Sequence, residues 1–86
     1  MTYVVYLIIT SAKNKTISYV GYTNNIEKRL KLHNSGKGAK FTKGKKWKLI
    51  YSQYYKSKIK AMKEEYKLKK NYKLRKIIKN KFLQHA

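Results

Sequence analysis

Only three side chains among 86 residues carry a carboxylate, Glu27, Glu64 and Glu65, so chemistry that needs an anionic ligand must draw on them. Glu27 stands three residues after Asn24, the spacing at which two side chains cap the first turn of a helix reciprocally, and this is a structural use. Glu64 and Glu65 lie in a run with helical periodicity. At 100° per residue Ile59, Ala61, Met62, Tyr66, Leu68 and Tyr72 share one broad half of that helix, with Glu65 in its middle and Glu64 opposite, beside Lys60, Lys67 and Asn71. A carboxylate among apolar neighbours is costly to bury unless it is paired or holds a metal. Glu65 is therefore the leading metal-ligand candidate, with pairing to Lys58 or Lys69 as its structural alternative. Glu64 reads as a solvated ion-pair residue.

The scarce arginines are the next candidates. The 23 Lys and Arg include only Arg29 and Arg75. A planar, permanently charged fork suits phosphate better than an ammonium does, so Arg29, just after the capped turn, is a candidate phosphate ligand. His33 follows four residues later and shares its helical face.

These residues need elements to hold them. Tyr3 to Thr10 is β-branched and aromatic, a pattern that predicts a strand buried on both faces. Ser11 to Lys15 is a polar turn and Thr16 to Tyr22 a second strand, close enough for an antiparallel hairpin. A helix is expected over Asn25 to Asn34, with Ile26, Leu30 and Leu32 as its apolar positions. Asn34 to Lys46, with three glycines and five lysines, predicts a mobile basic loop. Trp47 to Tyr55 resumes strand character. Ser57 caps a second helix running to about Lys70, and a basic amphipathic helix is expected over about 73–83. The order is β-β-α-β-α-α, an α/β fold in which helices flank a small three-stranded antiparallel sheet, one domain over 1–86.

Composition narrows the partner. Three acids against 23 bases give a formal charge of +20, a field that attracts polyanions and that nucleic acid would neutralise. There is no cysteine, so neither disulfides nor thiolate zinc sites hold the fold. The longest apolar run, Val4 to Ile9, is too short to span a bilayer, which makes a soluble cytoplasmic protein with no membrane role the expectation.

Taken together, the chain resembles the GIY-YIG nuclease superfamily over nearly its whole length. Val4-Val5-Tyr6 occupies the GIY position, with Val4 where many members have glycine. Tyr19-Val20-Gly21 occupies the YIG position, Arg29 follows that glycine by eight residues and His33 the arginine by four. Glu65 fits the family's metal ligand. The stretch His33-Asn34-Ser35-Gly36-Lys37-Gly38-Ala39-Lys40 is similar to one in small bacterial stand-alone members and in the structure-specific endonuclease branch. A late asparagine found in some members has no good match, since Asn71 and Asn80 both fit poorly.

The resemblance implies phosphodiester hydrolysis with one Mg²⁺ or Mn²⁺ held by Glu65, and nucleic acid, most readily branched or flapped DNA, as substrate. Arg29 would grip the scissile phosphate, and His33 would assist it or orient a neighbour. Tyr19 would receive the proton of the attacking water while Tyr6 orients that water or shares the task. Lys37, Lys40, Lys43 and Lys45, with the basic last helix, would contact the backbone without reading bases. Phe41, Trp47 and Tyr54-Tyr55 could stack on bases but suit packing better. A protein partner could supply specificity. The alternatives are a non-catalytic nucleic-acid-binding protein on the same fold and a small basic accessory protein of a ribonucleoprotein.

Overall fold

The computed structural model describes residues 2–12 and 15–84. Strands β1 (Tyr3–Ala12) and β2 (Lys15–Thr23) lead into helix α1 (Ile26–Asn34). Strand β3 (Lys48–Tyr55) follows, then helices α2 (Lys58–Lys70) and α3 (Tyr72–Gln84). The expected order β-β-α-β-α-α is the observed one. Of the predicted turn from Ser11 to Lys15, Lys13 and Asn14 lie outside the described residues, and strand pairing extends to Ala12 and Lys15 on either side.

The sheet is antiparallel in the order β2-β1-β3. That arrangement explains the unbroken apolar run, because β1 is the centre strand and both its faces are covered. Val4 to Ile9 are all buried. Val5 and Leu7 point to one face, where Val20, Ala61 and Leu68 join them. Tyr6 and Ile8 point to the other and pack with Trp47, Ile26 and Leu30. Between β1 and β3 the register shifts, Leu7 pairing with Tyr51 but Ile8 with Leu49. The extra residue lets Ile50 and Tyr51 both serve the α2 face while Leu49 serves the other.

Several expectations need correction. Helix α1 is capped by Asn25, whose Oδ1 accepts the Lys28 amide at 3.1 Å, so Asn24 is not the cap and Glu27 is not its reciprocal partner. Glu27 instead sits in the first turn, where a negative charge complements the helix dipole. The broad apolar half drawn for α2 is a narrow buried stripe: Ala61 and Leu68 are buried, while Ile59, Met62, Tyr66 and Tyr72 are exposed. Glu64 and Glu65 flank that stripe almost equally, their side chains 23% and 18% exposed, so they do not lie on opposite faces in the sense expected. Two short helices on a three-stranded sheet have too little surface to cover a full half of α2.

The segment predicted as a mobile loop is tied down at several points. Asn34 clamps the start of β3, its Oδ1 accepting the Trp47 amide at 2.6 Å and its Nδ2 donating to the Trp47 carbonyl at 3.3 Å. The buried Trp47 indole donates to the Thr42 carbonyl at 3.0 Å, within a single 3-10 turn over Lys40–Thr42.

Candidate active site

The site is built where α1 meets the Tyr6 face of the sheet. Ile26, Leu30 and His33 fall at i, i+4 and i+7 on α1, so His33 completes the inward stripe of that helix and is fully buried. Across the sheet, Tyr6 is paired in register with Gly21. That glycine is required by a close approach, since a Cβ there would run into the Tyr6 phenol. Gly38 does the same for the imidazole: a Cβ would lie 2.5 Å from His33 Nδ1 and 3.1 Å from its Cα. Both glycines make room for the pair rather than for a turn.

The Tyr6 hydroxyl and His33 Nε2 are 2.8 Å apart, and His33 Nδ1 is 2.8 Å from Thr42 Oγ1. The Thr42 hydroxyl donates its own hydrogen to the Ala39 carbonyl at 2.8 Å. With that proton committed, Thr42 Oγ1 can only accept, so the neutral imidazole carries its hydrogen on Nδ1. Nε2 is then a lone pair, and Tyr6 donates to it. The chain Tyr6–His33–Thr42–Ala39 is directional throughout, and its side chains are almost wholly buried.

Electrostatics agree with this protonation state. Burial pushes the His33 pKa below its usual value, and the positive charge of Arg29 adds to the effect. Burial also raises the Tyr6 phenol, with nearby Tyr19 and Glu65 adding to the rise, while Arg29, by hydrogen bonding and by charge, favours the phenolate. Arg29 is thus close enough to act on both partners. Its Nε is buried and meets no acceptor, so the guanidinium has donor capacity the protein does not use.

Tyr19 lies against the same cluster, its ring 6.5 Å from that of Tyr6 and 5.1 Å from the imidazole, centroid to centroid, and it stacks on Phe41 at 6.1 Å. Phe41 is half exposed, whereas Trp47 is core. Glu65, on α2, is near enough for its charge to oppose ionisation of Tyr6. Its carboxylate is paired with Lys69 at 3.3 Å. Glu64, as expected, pairs with Lys60 at 3.4 Å and Lys67 at 3.7 Å.

Of the predicted residues, Tyr6, Tyr19, Arg29 and His33 cluster, and Glu65 is within electrostatic reach of Tyr6. Lys37, Lys40 and Lys43 stand exposed on the loop between α1 and β3. Lys45 is engaged, its ammonium 3.4 Å from the Phe41 carbonyl and 5.8 Å from the centre of that ring. Thr42 is the residue that sequence reasoning missed. A buried hydroxyl in a polar loop leaves no periodic signal. The burial of His33 did leave one, in its spacing from Ile26 and Leu30. Asn71 has a structural task, accepting the Leu74 amide at 3.1 Å at the start of α3.

Comparison with known proteins gives a consistent family. Residues 2–78 match the GIY-YIG catalytic domain, a nuclease family. A UPF0213 protein of Clostridium perfringens is 44% identical over 66 residues, 76% of this chain and 70% of that protein. One from Bacillus licheniformis is 48% identical over 66 residues, 76% of this chain and 67% of the relative. The solution NMR structure of a UPF0213 protein from Bacillus halodurans superposes with a TM-score of 0.49 at 34% identity, covering 94% of this chain and 86% of that one.

Proposed function

The chain belongs to the GIY-YIG catalytic-domain family, and from that premise we propose that it is a metal-dependent endonuclease that hydrolyses phosphodiester bonds in branched or flapped DNA. The observation that carries this reading is the buried, hydrogen-bonded Tyr6–His33 pair with Arg29 beside it and Glu65 at its edge.

The residues present suit a single Mg²⁺ or Mn²⁺. Among the described residues no three His, Cys, Asp or Glu side chains cluster, so an all-protein cage is not the mode of binding. Mg²⁺ is well served by one or two carboxylates when water and substrate phosphate complete its octahedron. Glu65 is such a carboxylate, and its partner Lys69 is an exposed side chain that a divalent ion can displace. A bound ion would polarise the phosphoryl oxygen and offset charge on the leaving oxygen.

The protein's own residues supply the rest. Arg29 grips the scissile phosphate with donor capacity that the protein leaves unused, and stabilises the charge that accumulates in the transition state. The proton step falls to Tyr6 rather than to Tyr19, because Tyr6 has a base within hydrogen-bond distance. As the phenol oxygen takes a proton from the attacking water, its own proton passes to His33 Nε2, so no free phenolate has to form at neutral pH. Burial and Arg29 make the resulting imidazolium costly in the free protein. A phosphate against Arg29 offsets that cost, which couples proton transfer to substrate binding. Tyr19 orients the water, and Lys37, Lys40 and Lys43 hold the flanking backbone.

The test is cleavage of nicked, flapped and branched DNA with and without Mg²⁺, beside Glu65→Ala and Arg29→Ala. The expected result is metal-dependent cleavage that falls by two orders of magnitude or more in either variant, on the scale of removing one transition-state donor. If the wild type and Glu65→Ala bind alike and neither cleaves, the protein is a nucleic-acid-binding module on a nuclease fold.

A further inference from the structure

We infer that Arg75, with Ser18, Lys76 and Lys79, forms a second seat for a backbone phosphate, along the same edge strand as the active site but on the opposite face of the sheet. This deepens the nuclease reading and rests on it for the identity of the ligand.

The two arginines of this chain share one feature. Each has a buried Nε that meets no acceptor. Arg75 donates through Nη1 to Ser18 Oγ at 3.2 Å, and its guanidinium lies 5.8 Å from the centre of the Tyr72 ring. One donor and one ring face fix the plane of the fork, leaving the remaining Nη hydrogens for a ligand. Among the described residues the ion pairs join Glu64 to Lys60 and Lys67 and Glu65 to Lys69, so no acid neutralises Arg75. Lys76 and Lys79 line the same depression as Ser18, Tyr72 and Arg75. Three cations around one hydroxyl with no carboxylate repel one another unless an anion joins them, and a phosphate diester meets a planar fork with two oxygens.

The position explains the partner. Arg29 opens beside Tyr22 and Thr23 and Arg75 beside Ser18, so the two forks lie against the two ends of one stretch of β2. Four residue steps along the strand take Ser18 to Tyr22, about 13 Å. Over that length a duplex presents several phosphates, one per strand for each 3.4 Å or so of axis. Strand β2 is an edge of the sheet, so a backbone can follow it without displacing another strand. A strand held by Arg29 at the scissile phosphate would meet Arg75 a few nucleotides away.

The experiment measures binding of a fluorescein-labelled flapped DNA in EDTA, where no cleavage occurs, over a range of salt. Arg75→Ala should weaken affinity several-fold and lower the slope of log K against log salt by about one, the signature of one lost phosphate contact. Arg75→Lys should keep the slope but recover only part of the affinity, because it restores charge and not the fork. Since Arg75 also ties α3 to β2, the pair Lys76→Ala and Lys79→Ala serves as a second probe and should reproduce the loss in slope. Lys60→Ala, already engaged by Glu64, should bind like wild type. Wild-type affinity and slope in both Arg75→Ala and the double lysine variant would overturn the proposal, as would a Lys60→Ala loss equal to theirs. Failure of the nuclease reading is separate: it would show as no Mg²⁺-dependent cleavage by wild type, with the Arg75 effect on binding still measurable in EDTA.

Discussion

Thr42 sets the direction of the hydrogen-bond chain that runs through His33 to Tyr6. Its hydroxyl donates to Ala39 and accepts from His33 Nδ1, and this leaves Nε2 as the acceptor for Tyr6. Thr42→Val keeps the shape and removes the acceptor, leaving a buried N–H unpaired at a cost of about 1–3 kcal/mol. The expected outcome is a loss of stability of that size and imidazole ¹⁵N shifts that no longer report a single Nδ1–H tautomer, whereas Thr42→Ser restores both. An unchanged tautomer in the valine variant would remove Thr42 from this role. His33 makes a second prediction. Because its pKa is lowered by folding, the unfolded chain takes up the proton first as pH falls below about 6.5, its usual value. Stability is then fully present above that value, declines as pH drops toward the lower folded pKa, and levels off below it. Urea melts across this window should show that slope in wild type and lose it in His33→Gln.

At the scale of elements, α1 is the part on which both Arg29 and His33 depend, and its start is held by one side chain. Asn25→Ala removes the acceptor for the Lys28 amide and should cost about 1 kcal/mol, read as a lower urea midpoint with unchanged slope. What could be read of the elements beforehand follows their physics. Strand β1 was legible because a centre strand is apolar on both faces, and α3 because its basic face alternates cleanly with Leu74, Ile77, Ile78 and Phe82. The cap was misplaced by one residue because Asn24 and Asn25 are chemically identical, and only backbone geometry chooses between them. The wheel of α2 separated Glu64 from Glu65 too sharply because it ranks residues by type, while burial is set by how much sheet lies beneath. The choice of Glu65 rested on its motif position as well as on the wheel. The pairing of His33 with Tyr6 links residues 27 apart in the chain and had no signature in local spacing.

For the whole molecule, charge dominates association. With +20 and acids confined to Glu27, Glu64 and Glu65, the field is positive almost everywhere, so binding to any nucleic acid should be strong at low salt and fall steeply as salt rises. Replacing Lys37, Lys40 and Lys43 together by alanine should reduce the salt slope by about three while leaving the melting temperature nearly unchanged, since all three are exposed. A slope that does not move would show that this loop faces away from the bound strand. Among the described residues no helix is long and apolar enough to cross a membrane.

Tyr6 sits on the middle strand, paired in register with Gly21 on one side and Ser52 on the other. Amides there open only when the domain as a whole comes apart, unlike those of a terminal helix. Its amide should be among the slowest to exchange with deuterium, while those toward the end of α3 exchange well before it. Thermal inactivation would then coincide with global melting rather than precede it, because the Tyr6 end of the site has no looser subdomain through which to fail.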